Sequence, residues 1–127
     1  MQSEPQSQEV SSRRRLMVVE DDPRLRRAFA WALQDDFDVV QMSSVDEAVT
    51  ALTSDANVEL VLCDLILDGH MGVELFERLT EMHDPRAKRF VLMTAHDPAR
   101  MRLPSVPVLL KPFTVAVLRK ALADMFT

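Results

Sequence analysis

Glu59-Leu-Val-Leu-Cys-Asp64-Leu-Ile-Leu-Asp-Gly-His-Met-Gly72 is the stretch on which the fold turns. Glu59 to Cys63 is short and apolar after its first residue, the pattern of a strand, and Asp64 stops it. The segment that follows holds both glycines of the chain, Gly69 and Gly72, and reads as a loop in which the backbone needs unusual freedom. Val73, Leu75, Phe76, Leu79 and Met82 then recur at helical spacing. One unit of strand, acidic loop and helix is thereby defined, and the rest of the chain can be tested for repetitions of it.

Towards the N-terminus, the basic run Arg13 to Arg15 leads into Leu16 to Val19, an apolar stretch suited to a buried parallel strand, stopped by Glu20, Asp21 and Asp22. Pro23 suits a first helical turn, and Leu25, Ala28, Phe29, Ala32 and Leu33 carry the stripe of a helix reaching Asp35. Phe37 to Met42 is a second strand, and Ser44 with Glu47 forms a capping-box spacing ahead of Ala48, Val49, Ala51 and Leu52. Towards the C-terminus, Phe90 to Met93 supply a fourth strand ending at Thr94. Asp97 to Leu103 leave room for only about two helical turns before Pro104, and Val106 to Leu110 make a fifth strand with Pro107 at its entry. After Lys111, Pro112 and Phe113, Thr114 is placed to cap a last helix striped by Val117, Leu118, Ala121, Leu122 and Met125.

Strand and helix alternating five times imply an α/β fold with a parallel sheet, because right-handed crossovers set helices on both faces. The fourth helix is expected to be short or irregular. Residues 1–12 are polar, carry a proline and show no apolar period, so they are expected to be a disordered extension to a domain at 13–127.

A chain of 127 residues is one domain by length, and 47% hydrophobic with 28% charged residues matches ordinary globular usage. The net charge of −5 offers no electrostatic footprint for a nucleic-acid backbone. Cys63 is the only cysteine, so an intrachain disulfide is excluded. No apolar run approaches the roughly 20 residues of a membrane span and the N-terminus has no apolar signal core, so a cytoplasmic setting without membrane contact is expected.

Open parallel sheets bind ligands beyond the carboxyl ends of their strands, where the strand order reverses. The residues at those ends are Glu20 and Asp21, Asp64, Thr94 and Lys111. If the first and third strands are neighbours, three carboxylates converge with no cation from either strand to offset them, and at least one should have a raised pKa. Such a cluster suits a hard cation, and Mg²⁺, which takes carboxylate and phosphate oxygens, fits it. An aspartate can attack phosphorus to form an acyl phosphate, with charge on the phosphoryl oxygens met by metal, ammonium and hydroxyl donors. Asp64, Lys111 and Thr94 supply that set.

Four motifs stand at these strand ends in order: Val18-Val-Glu-Asp-Asp22, Asp64-Leu-Ile-Leu-Asp-Gly-His-Met-Gly72, Met93-Thr-Ala95 and Lys111-Pro-Phe113. Together they resemble the signatures of the receiver domains of bacterial two-component response regulators, over about Arg15 to Phe126. The resemblance implies a doubly wound, flavodoxin-like sheet of five strands in the order 2-1-3-4-5. It implies that Asp64 accepts a phosphoryl group from a histidine kinase or histidine phosphotransfer protein, in a self-catalysed transfer followed by hydrolysis. By the same resemblance, Asp21 and Asp64 ligate Mg²⁺ directly, Glu20 holds it through water, and Ile66 adds a backbone carbonyl. Thr94 would be the switch hydroxyl and Lys111 the phosphoryl-pairing cation, joined to Pro112 by a cis bond.

Three features depart from the family pattern. Val108 stands three before the lysine, where receivers often carry Tyr or Phe. The segment between Thr94 and Lys111 is short and holds Pro98, Pro104 and Pro107. Asp68 replaces a common proline, which is expected to loosen the loop without removing a ligand. Trp31 lies off the apolar stripe of its helix, Cys63 reads as a core residue, and His70 and His96 lack metal-ligand spacing. The main alternative is a phosphorylation-independent interaction module on the same fold. A phosphatase of the kind that also forms aspartyl phosphates would carry a second Asp two residues after the nucleophile, where Ile66 stands.

Overall fold

The computed structural model describes residues 13–127, so the extension expected at 1–12 lies outside the described residues. In chain order the elements are β1 (Arg14–Val19), α1 (Pro23–Leu33), β2 (Phe37–Met42), α2 (Val45–Ser54), β3 (Val58–Asp64), β4 (Ile66–Leu67), β5 (His70–Met71), α3 (Val73–Glu81), β6 (Phe90–Thr94), β7 (Val108–Leu110) and α4 (Val115–Asp124). Five strands form the main sheet in the order β2-β1-β3-β6-β7, and every pairing in it is parallel. With the small antiparallel hairpin β4–β5 set aside, this is the expected 2-1-3-4-5 order.

The central strands are buried on both faces, and side chains of β1 alternate between two cores as strand geometry requires. Met17 and Val19 join Val61, Cys63 and Leu92 in a core closed by Ala48 and Leu52 of α2 and Leu75 and Leu79 of α3. Leu16 and Val18 join Leu60, Leu62 and Met93 in a second core, closed by Leu33 of α1 and Leu118 and Leu122 of α4. Helix starts follow the sequence signals. Asp22 accepts from the Arg24 amide with Pro23 in the first turn, and Ser44 accepts from the Glu47 amide. Glu47 reaches back to the Ser43 amide at 2.7 Å, and Thr114 caps α4 through the Val117 amide.

The stripes were broader in expectation than in the fold. α1 ends at Leu33, short of Asp35, and Leu25 is exposed along with Ala28. Val117 and Met82 are also exposed, so the apolar spacing runs wider than the face each helix turns to the core, which in α3 is Leu75 and Leu79 and in α4 Leu118 and Leu122. The fourth crossover departs further. No α-helix forms between β6 and β7; a single 3₁₀ turn, Pro98–Arg100, stands there. Pro98 starts that turn, while Pro104 disfavours helical backbone at Leu103 and denies an amide to any helix running through it. Met101, Leu103 and Val106 instead pack as a strap against the core on the α2 and α3 side. β7 begins at Val108, later than expected, since Pro107 has no amide for the ladder and contributes only its carbonyl, to the Leu92 amide at 2.9 Å.

The end of the sheet opposite Asp64 is held by one side chain. Arg86, 13% exposed, forms a fork with Asp84 through Nε (2.9 Å) and Nη2 (2.7 Å). Its nitrogens also donate to the carbonyls of Leu52 and Asp55 at the C-terminal end of α2, both at 2.8 Å. Hydrogen bonds from Arg86 hold the Asp84 carboxyl below the usual carboxylate range. Removing one partner of a buried, fully bonded pair leaves a charge and several carbonyls uncompensated. Arg86→Ala should therefore cost about 3 kcal/mol of unfolding stability in denaturant melts, and Arg86→Lys roughly half that, since an ammonium cannot serve the planar fork. A loss below about 0.5 kcal/mol for the alanine variant would show that this fork does not anchor α2.

Candidate functional site

Glu20 follows β1 directly, Asp64 and Thr94 are the last residues of β3 and β6, and Lys111 follows β7. Because β1 and β3 are neighbours, ligand oxygens of Glu20, Asp21 and Asp64 lie within 4.8 Å of one another. Glu20 is 1% exposed, Asp64 8% and Thr94 1%. No cation comes from β1 or β3, but Lys111 reaches in from beyond β7. Its Nζ lies 3.0 Å from Asp64 Oδ2 and 3.5 Å from Glu20 Oε1.

Lys111 is held at three points. Its amide donates to the Thr94 carbonyl at 2.7 Å, its peptide bond to Pro112 is cis, and Phe113 stacks on Phe29 of α1 with ring centroids 6.1 Å apart. The lysine and the phenylalanine of the Lys-Pro-Phe motif thus have separate tasks: one enters the acidic cluster and the other fastens the loop.

Glu20 Oε2 accepts from the Asp22 amide at 3.2 Å, whereas Oε1 is buried and accepts no hydrogen bond. Burial and hydrogen bonding with Asp64 raise the Glu20 carboxyl to about 7, reinforced by the Asp64 charge and by Asp21 and opposed by the Asp22 amide. The raised carboxyl expected in the cluster is therefore Glu20, and burial contributes more to the shift than the expected repulsion does. A cluster of hard oxygens, one of them orphaned and one carboxyl reluctant to ionise, is a donor set that suits a hard cation.

Thr94 turns towards its own loop, its Oγ1 accepting from the His96 amide at 3.0 Å. Ile66 lies in the β4–β5 hairpin with its side chain 45% exposed. Cys63 is buried, and burial followed by the nearby Asp64 and Glu20 charges pushes its thiol up, which keeps it a protonated core group.

Arg26 escaped the sequence reading, and Gly72 and Asp68 act otherwise than expected. Arg26 Nη1 donates to the Glu20 carbonyl at 2.8 Å and fixes the acidic turn from the first turns of α1. Gly72 has ordinary helical backbone, so its role is space: a Cβ there would sit 2.1 Å from the Asp64 carbonyl oxygen. The Asp68 amide donates to Asp21 Oδ2 at 2.8 Å. The loop expected to be loosened by Asp68 is instead a paired hairpin bonded to the cluster.

The family model of the response regulator receiver domain matches residues 16–123, and the chain belongs to that family. A curated relative, the two-component response regulator PprB of Pseudomonas aeruginosa, is 26% identical over 84 residues. That match covers 65% of this chain and 30% of the relative, so the chain spans under a third of that protein's length. Among solved structures, TrrA of Thermotoga maritima, determined in complex with Mg²⁺ and BeF, aligns with a TM-score of 0.78 at 23% identity over 89% of this chain and 99% of its own. Chemotaxis regulator CheY4 of Vibrio cholerae gives 0.79 at 19% over 91% and 100% of the two chains. A receiver protein of Sinorhizobium medicae gives 0.76 at 26% over 90% and 94%.

The raised Glu20 carboxyl has a consequence for stability. Between the ordinary glutamate value of 4.5 and about 7 the folded chain binds a proton that the unfolded chain has released, so stability falls as pH rises through that window. Below it both states are protonated and the penalty vanishes. Glu20→Gln should therefore be more stable than the wild type in chelator at pH 8, by on the order of 1–2 kcal/mol, and lose that advantage near pH 4. Denaturant melts at the two pH values check this, and an advantage independent of pH would refute the assignment to Glu20.

Proposed function

We propose that this receiver domain, residues 13–127, is a phosphorylation-dependent signalling switch whose phosphoacceptor is Asp64. The observation that carries the reading is Asp64 at the end of β3, 3.0 Å from the Lys111 ammonium and clustered with two further acids. The phosphoryl donor would be a phosphohistidine on a histidine kinase or histidine phosphotransfer protein, and the setting cytoplasmic. Among the described residues, no helix is long and apolar enough to cross a membrane.

Asp21 and Asp64 would hold Mg²⁺, with Glu20 behind them and the Ile66 carbonyl beside them. When bound, Mg²⁺ supplies positive charge to the phosphoryl oxygens and offsets the acids. In the transfer, an Asp64 oxygen bonds to phosphorus as the phosphorus–nitrogen bond to the donor imidazole breaks, and that nitrogen keeps the electron pair. Lys111 then turns from the carboxylate to a phosphoryl oxygen. Thr94 would offer its O–H, a donor left free by the bond its oxygen accepts from the His96 amide.

A second reading, a phosphorylation-independent interaction module, draws on Val108 and on the missing fourth helix. Beryllofluoride with Mg²⁺ separates the two. Wild type should load while Asp64→Asn does not, read by fluorine spectra, and acetyl phosphate should modify only the wild type, read by intact mass. Amide shifts on loading should extend through residues 64–72 and 94–113. Equal loading of the variant would overturn Asp64 as acceptor, and shifts confined to the neighbours of Asp64 would favour the module.

A further inference from the structure

We propose that the backbone amide of Asp68 is a positioning group that holds Asp21 as a cation ligand, an inference that rests on the Mg²⁺ site proposed above. The two residues are 47 apart in sequence, and the bond between them, 2.8 Å from Asp68 N to Asp21 Oδ2, joins the hairpin tip to the turn after β1. With Oδ2 committed to an amide, the carboxylate has a fixed orientation and its other oxygen remains for a cation. Outer partners of this kind orient metal-binding carboxylates and commonly alter affinity.

The amide is delivered by a braced framework. Leu67 pairs with His70 and Ile66 with Met71, which leaves Asp68 and Gly69 as the two turn residues. Glu74 in the first turn of α3 accepts from the Met71 amide at 2.8 Å and bonds His70 Nδ1 at 3.2 Å. At the foot of the hairpin, the Gly72 amide donates to the Leu65 carbonyl, and Gly72 packs against the Asp64 carbonyl oxygen. One small hairpin therefore touches both acids assigned to the cation: Asp64 at its foot and Asp21 at its tip.

Asp68 also stands where receivers commonly carry proline, a residue with no amide hydrogen to give. Gly69 has φ +76, and His83 is the only non-glycine residue among those described with positive φ, so Asp68 lies at negative φ. A turn with a positive-φ second residue accepts proline in the first position. Asp68→Pro can thus keep the turn while replacing the amide hydrogen with a ring carbon that also crowds Asp21, and Asp68→Ala keeps the amide; both delete the side-chain charge.

The test is Mg²⁺ binding by calorimetry on the full chain, at two salt concentrations, for wild type, Asp68→Ala, Asp68→Pro and Asp21→Asn. Asp68→Ala should bind close to wild type, any deficit shrinking as salt screens the lost charge. Asp68→Pro should bind about threefold to tenfold more weakly than Asp68→Ala at both salts, the worth of one hydrogen bond to a charged, half-exposed acceptor. In spectra without Mg²⁺, Asp21→Asn should move the Asp68 amide proton upfield, a change that loss of general stability does not produce. Equal affinities of the proline and alanine variants would overturn the inference and leave the Mg²⁺ site standing, whereas a wild type that binds no Mg²⁺ would overturn both. If Asp68→Pro does not fold, amide exchange in the wild type decides: slower exchange at Asp68 than at Gly69 supports the bond, and equal rates refute it.

Discussion

A single ammonium makes the acidic end of this sheet tenable. Glu20, Asp21 and Asp64 are brought within 4.8 Å by the adjacency of β1 and β3, and Lys111 answers them from the far edge strand. Its reach depends on features that look unrelated in the sequence. The Thr94 carbonyl fixes its amide, and Phe113 fastens the following turn to α1. The edge strand β7 is only three residues long and follows an irregular crossover, yet it carries the cation on which the central acids depend.

The two ends of the sheet spend interactions differently. At the end opposite Asp64, Arg86 donates to the Asp84 carboxylate and to the Leu52 and Asp55 carbonyls and closes the C-terminus of α2. At the reactive end, Glu20 Oε1 is buried with no hydrogen bond, only the Lys111 ammonium 3.5 Å away, and Thr94 Oγ1 is taken up by its own loop. An unmatched carboxylate destabilises the native state, and such sites persist where function selects them and the remaining core compensates. Here the compensation is two apolar cores on either face of the same strands, so the acids stand at the ends of strands buried on both sides.

Much of this was legible in the sequence, because strand ends in a parallel sheet are marked by where apolar runs stop. Glu20, Asp64, Thr94 and Lys111 each follow or close such a run, and the structure brings the acids and the lysine together. Less legible were features set by tertiary geometry. Leu25 and Val117 satisfy a helical period yet face solvent, since periodicity marks a stripe without saying how much of it the sheet covers. The prolines of the fourth crossover signalled irregularity, but that Met101, Leu103 and Val106 would replace a helix as core cover depends on packing. The Asp68 to Asp21 bond was invisible for another reason: it is made by a backbone amide, which every residue but proline possesses.

Val108 gives this architecture its particular constraint. In receivers that place an aromatic ring there, the ring can report the position of the switch hydroxyl, and a small β-branched side chain packed at the core edge cannot. In the proposed switch the report has to travel through backbone instead. Thr94 Oγ1 accepts the His96 amide, so a rotation of that side chain towards a phosphoryl group would take the acceptor away from the start of the strap at 95–107. The strap is tied by one 3₁₀ turn, the Asp97 side chain on the Ala99 amide and beside Arg100, apolar contacts of Met101, Leu103 and Val106, and the Pro107 carbonyl on the Leu92 amide. Rearranging a segment with so little regular structure costs a few hydrogen bonds of about 1 kcal/mol each, within reach of charge-assisted bonds to a new phosphoryl group. In the proposed switch the helix-free crossover and the ring-free position 108 would act together: without a ring as lever, the segment beside Thr94 would have to move by itself.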